Sequence, residues 1–235
     1  MDLSPAGLAH AAFFLVLVPW RVVKTKRALD AGTPLPPSAQ LLRGTLVVQL
    51  VFVAIGLAVT FADQLPLLEM HRPSGRDLLL TLAALAFIVG TIPLRWRMTD
   101  AEGRRRLARS MPQSAVEMAW WTPIALAAGF GEELNYRGVL VGVIWIATGS
   151  WWLAAALSAL AFAVGHATQG WMKVGWILLF TVIVQALVVA TGTLWLAMAM
   201  HAIYDLIAGV VYGRLTRGLR DGAAAAALSD PARRA

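Results

Sequence analysis

Long apolar segments occupy most of this chain and constrain its fold more strongly than any other feature. Hydrophobic residues make up 59% of the 235 residues and charged residues 14%, against roughly 25% charged residues in an average soluble domain. An apolar run of about 20 residues can cross a bilayer as a helix. The sequence therefore predicts an all-α, polytopic transmembrane helix bundle. The predicted spans are Leu8–Val23, Leu41–Ala62, Leu78–Leu94, Ala115–Ala147, Trp151–Thr168, Val174–Ala190 and Thr193–Tyr212.

The basic residues of the connectors predict the orientation of this bundle. Short connectors rich in lysine and arginine stay in the cytoplasm, and these residues crowd the first connector, the third connector and the segment after Tyr212. We therefore expect an external N-terminus, a cytoplasmic C-terminus and seven spans. The segment Ala115–Ala147 is longer than an upright span needs, and Pro123, Gly129 and Gly131 within it indicate a tilt or a break. If this segment crosses twice, the number of spans is eight.

The remaining features define the domain organisation and exclude several classes of protein. We predict one transmembrane domain over residues 1–213 and a polar, flexible cytoplasmic tail over residues 214–235. The net charge of +7 comes from residues that flank the spans, which favours the lipid bilayer over nucleic acid as a partner. The absence of cysteine excludes disulfides, thiolate metal ligands and a cysteine nucleophile. The alanine- and arginine-rich composition indicates a multi-pass protein of a bacterial inner membrane.

Several ionisable side chains lie inside the apolar segments, where charge is costly. A charged group at the centre of a bilayer costs roughly 2.5–3.5 kcal/mol on insertion scales. Their helical spacing in three different segments indicates a polar site assembled inside the bundle. These residues are Glu132, Glu133, Arg137, His166, His201 and Asp205.

The two adjacent glutamates are predicted to have different roles. Glu133 and Arg137 stand four residues apart with the acid first, which is the favourable order for an ion pair on a helix. Glu132 points about 100° away from that pair, since an α-helix has 3.6 residues per turn. It is therefore free to act as a general base. The alternative is that both acids only hold helices together.

The histidines form two further short motifs. Phe162 lies one helical turn before His166, so we expect the two side chains to share a face. His166 alone is compatible with either a structural or a catalytic role. His201 and Asp205 have the same spacing and could bind a metal ion, orient one imidazole or donate hydrogen bonds to an oxyanion. His10, near a span edge, and His71, in a connector, are left out of the site.

A divalent metal such as zinc is an alternative occupant of this site. Its ligands would be imidazole and carboxylate groups, which zinc accepts in catalytic sites. The chain has no His-Glu-x-x-His motif, however, so we expect a site without metal or other cofactor. The alternative metal ligands are Glu132, His166, His201 and Asp205.

The three motifs together are similar to those of a known family. Glu-Glu-x-x-x-Arg from Glu132, Phe-x-x-x-His from Phe162 and His-x-x-x-Asp from His201 follow in this order on successive apolar segments. This pattern resembles the CAAX prenyl protease type II and bacteriocin-processing (CPBP) family of intramembrane endopeptidases. The resemblance covers about residues 115–212 and implies hydrolysis of a peptide bond in a membrane-associated peptide or protein.

The resemblance also implies a role for each motif residue. Glu132 and His166 match residues thought to activate water, and His201 and Asp205 match residues proposed to stabilise the oxyanion. The remaining motif residues are site-organising: Glu133, Arg137 and Phe162. Eukaryotic prenyl proteases carry asparagine at the position of Asp205, and an ionised aspartate cannot donate to an oxyanion. Asp205 is therefore either protonated or orients His201.

Three other functions remain compatible with this sequence. A catalytically silent member of the same fold would act as a membrane scaffold or an immunity-type protein. A transporter would use the carboxylates as a proton relay. A divalent-metal-dependent intramembrane protease would use the same polar residues as ligands. The intact motifs favour the metal-free endopeptidase over all three.

Overall fold

The computed structural model describes residues 4–70 and 72–229, and these form an all-α bundle without strands. The predicted fold class is therefore confirmed. Two short 3₁₀ segments, Pro66–Leu68 and Ala167–Gln169, lie in connectors. The helices are α1 (Pro5–Asp30), α2 (Ser38–Ala62), α3 (Gly75–Met98), α4 (Ala101–Ser110), α5 (115–148), α6 (Trp151–Val164), α7 (Trp171–Thr191) and α8 (Leu194–Ser229).

Most of these helices are suited to a membrane. Within the described residues, five helical stretches are long and apolar enough to cross a bilayer, namely α1, α2, α3, α7 and residues Leu194–Leu219 of α8. Helix α6 is apolar but shorter. Helix α5 continues from residue 115 to residue 148 without a break, so nothing in its geometry divides this segment into two spans.

Helix α5 lies at the centre of the bundle and begins and ends at clear local signals. The Ser114 hydroxyl accepts a hydrogen bond from the Glu117 backbone N–H at the N-terminus, as serine commonly does at this position. Gly149, with φ of 69°, ends the helix in the left-handed conformation that glycine adopts without strain. Between them, Leu134–Leu140 forms a π-helical segment whose residues are all buried.

Two glycines of α5 let its neighbours approach closely. A Cβ atom on Gly129 would lie 2.6 Å from the backbone nitrogen of Ala202 in α8, and one on Gly131 would lie 3.1 Å from the backbone nitrogen of Val53 in α2. Backbone therefore packs directly against backbone on two sides of α5. These glycines predicted a tilt or a break, whereas in the structure they allow close packing.

The end of α6 differs from the prediction. The helix was expected to continue to Thr168, but it ends at Val164. His166, with φ of −107° and ψ of 8°, lies in a turn before Ala167–Gln169. Its position outside the helix does not separate it from Phe162, because its Nδ1 lies 2.9 Å from the Phe162 carbonyl oxygen.

Helix α8 continues well beyond the last predicted span. It runs to Ser229, although the sequence from residue 214 was assigned to a polar tail. Alanine is the best helix former, and the alanine run 223–227 lies in this part of the helix. The predicted tail thus begins inside a helix, and its last residues, 230–235, lie outside the described part of the chain.

Candidate active site

Glu133 is the buried centre of the polar cluster. Its Oε1 lies 3.2 Å from Arg137 Nη1 and 2.6 Å from His201 Nδ1, and the Glu133 side chain is fully buried. Arg137 also donates to the Thr181 hydroxyl and lies over the Phe162 ring, 4.2 Å from its centroid. The cluster contains the Glu133–Arg137 ion pair that the sequence predicted, and it adds a bond that fixes the His201 ring.

Glu132 is held differently from its neighbour. Its Oε1 accepts a hydrogen bond from Gln49 Nε2 at 2.7 Å. Its Oε2 lies 4.0 Å from His166 Nε2 and 3.9 Å from His201 Nε2. These two distances are too long for direct hydrogen bonds, but a single water oxygen could bond to groups on both sides of such a gap. Glu132 is therefore free of Arg137 and faces both histidines.

The two imidazoles are oriented alike. His166 Nδ1 can only donate to the Phe162 carbonyl, since a carbonyl oxygen has no proton to give. His201 Nδ1 faces the Glu133 carboxylate and donates to it when that carboxylate is ionised. Each ring therefore presents Nε2 to Glu132. A neutral ring offers a lone pair there, and a doubly protonated ring offers an N–H.

Asp205 lies next to His201 but does not orient it. Its Oδ2 is 3.7 Å from His201 Nε2, on the side of the ring that faces Glu132. The orienting contact comes from Glu133 on the opposite nitrogen. The interpretation of Asp205 as the group that orients His201 therefore does not fit the geometry. The Asp205 backbone carbonyl accepts a hydrogen bond from Trp121 Nε1 at 2.9 Å, which ties α8 to α5.

The turn that carries His166 is fixed from the amphipathic helix α4. Arg106 Nη1 donates to the Thr168 carbonyl at 3.4 Å, and Nη2 of the same guanidinium lies 3.0 Å from Asp30 Oδ1 at the end of α1. Its Nε lies 3.1 Å from Glu102 Oε1. Hydrogen bonds from Arg105 and Arg106 hold the pKa of Glu102 below its usual range, so this cluster stays charged at neutral pH.

The polar residues line a large cavity. Its volume is about 1020 Å³, and Glu132, His166, His201 and Asp205 lie in its wall. Arg95 and Lys173 also line it, and Arg95 Nη1 donates to the Tyr204 hydroxyl at 2.8 Å. The apolar part of the wall includes Phe13, Val48, Phe52, Trp176, Ile177 and Phe180. The cavity has room for a peptide segment beside the polar cluster.

The cluster fits a metal ion poorly. Among the described residues, no three histidine, aspartate or glutamate side chains are arranged to hold one. Zinc ligands lie about 2.0–2.2 Å from the ion, so ligand atoms around a tetrahedral zinc must be closer together than Glu132 Oε2 and the two Nε2 atoms are. Metal binding by Glu132, His166, His201 and Asp205 would require these side chains to move inward.

The structure brings all seven predicted site residues together and adds partners that the sequence analysis missed. Gln49 and Thr181 are buried polar residues of α2 and α7 that bond to Glu132 and Arg137. Their only signal in the sequence is a polar side chain inside an apolar span. His10, which was left out, is buried and bonds to Asn135; His71 lies outside the described residues.

Comparison with known proteins agrees with the motifs. Residues 114–207 match the family model described as Type II CAAX prenyl endopeptidase Rce1-like. No curated protein and no solved structure gives a significant match. The matched range contains every predicted site residue and excludes α1, α2 and α3, and the family indicates an intramembrane protease. Residues 114–207 of the chain are therefore similar to the Rce1-like, type II CAAX prenyl endopeptidase family.

Proposed function

We propose that this protein is an intramembrane endopeptidase of the CPBP type, which hydrolyses a peptide bond of a membrane-associated substrate with water activated by Glu132 and His166. The observation that carries this proposal is the position of Glu132 Oε2, 4.0 Å from His166 Nε2 and 3.9 Å from His201 Nε2, in the wall of a cavity. The match of residues 114–207 to a family of endopeptidases supports the same reaction.

The first step is the attack of water on the scissile carbonyl. A water oxygen between Glu132 Oε2 and His166 Nε2 would lose a proton to the carboxylate as its oxygen bonds to the carbonyl carbon. The C–N bond then breaks, and the same proton passes from Glu132 to the leaving amine. A buried carboxylate whose other oxygen is already hydrogen-bonded has one oxygen left for this transfer, which is Oε2 here.

His201 is proposed to stabilise the oxyanion from Nε2. Because its Nδ1 hydrogen is directed at Glu133, Nε2 can donate only in the imidazolium form. Three carboxylates surround this ring, from Glu132, Glu133 and Asp205, and the buried Arg137 offsets one of them. Asp205 is thus proposed as a counter-charge for the His201 imidazolium and not as a second donor.

Substitution of the proposed base tests the reaction. Loss of a general base typically costs 10²–10⁴-fold in rate, so we expect Glu132→Gln to reduce hydrolysis by that factor in proteoliposomes while the protein remains folded. Glu69→Gln, at an exposed glutamate outside the site, is the matched control and should keep full activity. A rate above about a tenth of wild type in Glu132→Gln would contradict the assignment.

Cellular substrates can be found with the same pair of proteins. Membrane-associated protein termini that form with the wild-type protein and disappear with Glu132→Ala would identify the cleaved bond. Identical termini in both strains would favour a catalytically silent scaffold or immunity-type protein.

We further propose a multi-pass location in a bacterial inner membrane with a cytoplasmic C-terminus. The arginines of α4 and of the segment after Tyr212 support this orientation, since basic connectors remain in the cytoplasm. Reporter fusions near Asp30 and at Ala235 should both give cytoplasmic signals, and an external signal at Ala235 would favour eight spans over seven.

A further inference from the structure

The contact between Gln49 and Glu132 joins the family-like domain to a helix outside it. Gln49 lies on α2, beyond the matched residues 114–207, and its Nε2 donates to Glu132 Oε1 at 2.7 Å. Gln49 is 8% exposed and lines the same cavity as the four proposed reacting side chains. It is the described side chain that forms a direct hydrogen bond with the Glu132 carboxylate.

The packing of α2 against α5 fixes this contact. Gln49, Val53 and Gly56 are spaced at i, i+4 and i+7, so they share one face of α2. On that face, a Cβ atom on Gly56 would lie 3.0 Å from Asn135 Nδ2, while Val53 packs against Gly131. Because Val53 meets the backbone of α5 at Gly131 and Gly56 packs against the side chains of Leu134 and Asn135, Gln49 is held one turn away, opposite Glu132.

We propose that Gln49 is a positioning residue for water activation, an inference that rests on the proposed function. An amide donor on Oε1 fixes the rotation of the Glu132 carboxylate and leaves Oε2 directed at His166 and His201. The amide also carries no charge, so it positions the Glu132 carboxylate without forming an ion pair with it. The adjacent Glu133 is instead bonded to Arg137, whose guanidinium neutralises it.

The amide oxygen of Gln49, which takes no part in the contact with Glu132, supports a functional role for this residue. Gln49 Oε1 is buried and has no hydrogen-bond partner among the described residues. A buried acceptor without a partner costs folding free energy, so an apolar side chain would suit the stability of α2 better. In return, the Gln49 amide donates a hydrogen bond to Glu132 Oε1, the oxygen beside the proposed proton acceptor Oε2.

The test separates positioning from folding and from substrate binding. Gln49→Met keeps the length of the side chain and removes the donor. We expect kcat to fall about 10–100-fold, because a misplacement of about 1 Å can cost 10²-fold in rate, while KM stays within about twofold of wild type. The melting temperature in detergent should change little, because removal of the unpartnered Gln49 acceptor offsets the loss of the donor to Glu132 Oε1.

Three further variants complete this experiment. Gln40→Met, at an exposed position of the same helix, is the matched control and should leave kcat unchanged. Gln49→Glu has the same shape but places an acceptor against Glu132, and it should lose at least as much as Gln49→Met. Gln49→His retains an N–H donor and should recover part of the lost kcat, an outcome that loss of packing would not produce.

The outcomes also distinguish this inference from the proposed function. A Gln49→Met protein with wild-type kcat, beside an inactive Glu132→Gln protein, overturns the role of Gln49 alone. A raised KM with unchanged kcat, or a loss of activity that follows a loss of folded protein, overturns it as well. An active Glu132→Gln protein would instead remove the proposed function on which the inference rests.

Discussion

The two parts of the bundle contribute to the site in different ways. Residues 114–207 carry every motif residue, including the charged pair Glu133–Arg137 and both histidines. Helices α1 and α2 carry no motif, yet His10 of α1 and Gln49 of α2 each hydrogen-bond to a buried polar side chain of α5. The family-like domain thus supplies the charges, and the N-terminal helices supply neutral hydrogen bonds that hold the segment bearing them.

The contact made by His10 supports the π-helical segment. His10 Nε2 lies 2.8 Å from Asn135 Oδ1, and the Asn135 amide donates to the carbonyls of Gly131 and Phe52. Phe14, one turn after His10, packs edge-on against Tyr136. A π-helical segment leaves the regular hydrogen-bond ladder of an α-helix, so side-chain bonds to its flanking carbonyls stabilise it.

The largest effect on stability should come from a charge inside the family-like domain. Arg137→Ala leaves Glu133 buried without its cation, and removal of one partner of a buried ion pair costs roughly 3–5 kcal/mol. We therefore expect a marked loss of detergent-solubilised yield and of melting temperature, well beyond that of Glu132→Gln. Arg97→Ala, at an exposed arginine, should be nearly neutral. Equal melting temperatures for Arg137→Ala and Glu132→Gln would contradict the buried ion pair.

A neutral contact from the N-terminal helices should have a smaller effect. His10→Leu removes the donor to Asn135 Oδ1 and leaves a buried acceptor unpaired, at a cost of roughly 1–3 kcal/mol. Thermal unfolding in detergent should show this loss between those of Arg137→Ala and the exposed control Leu8→Ala. If His10→Leu destabilised the protein as much as Arg137→Ala, the contrast between charged and neutral contacts would not hold.

The smallest effect is expected for Asp205→Asn. This variant tests whether Asp205 acts as a counter-charge to His201. An amide at this position removes a counter-charge 3.7 Å from His201 Nε2 but leaves the Glu133 contact intact. In a metal-free site, Asp205→Asn should retain activity within about tenfold, and the wild-type enzyme should survive chelation. Stoichiometric zinc by elemental analysis, with a loss of activity in Asp205→Asn that excess zinc restores, would establish the metalloprotease instead.

Residues close together in the sequence allowed much of this architecture to be predicted. Hydropathy located the spans, and the four-residue spacing of Glu133 and Arg137 predicted their pairing, because such pairs meet on one helix regardless of the surrounding fold. The family and the residues that would carry its chemistry followed from three motifs of this local kind.

Contacts between helices could not be predicted in this way. Glu132 and Gln49 are 83 residues apart, and the sequence of neither segment predicts which helices are neighbours. The sequence predicted the ion pair of Glu133 with Arg137 but not its bond to His201, which depends on how α8 packs against α5. The end of α6 before His166 was also missed, since an apolar run continues through the residues where the helix stops.

The close packing at Gly129 has a consequence for how this protein would be studied by saturation mutagenesis. A single methyl group there would collide with the backbone that carries His201, since its carbon would lie 2.6 Å from the nitrogen of the next residue, Ala202. The collision would displace the imidazole relative to Glu132, and a misplacement of about 1 Å can cost 10²-fold in rate. A screen that scores activity alone would therefore rank Gly129 beside Glu132, the proposed general base, although Gly129 has no side chain with which to touch a substrate.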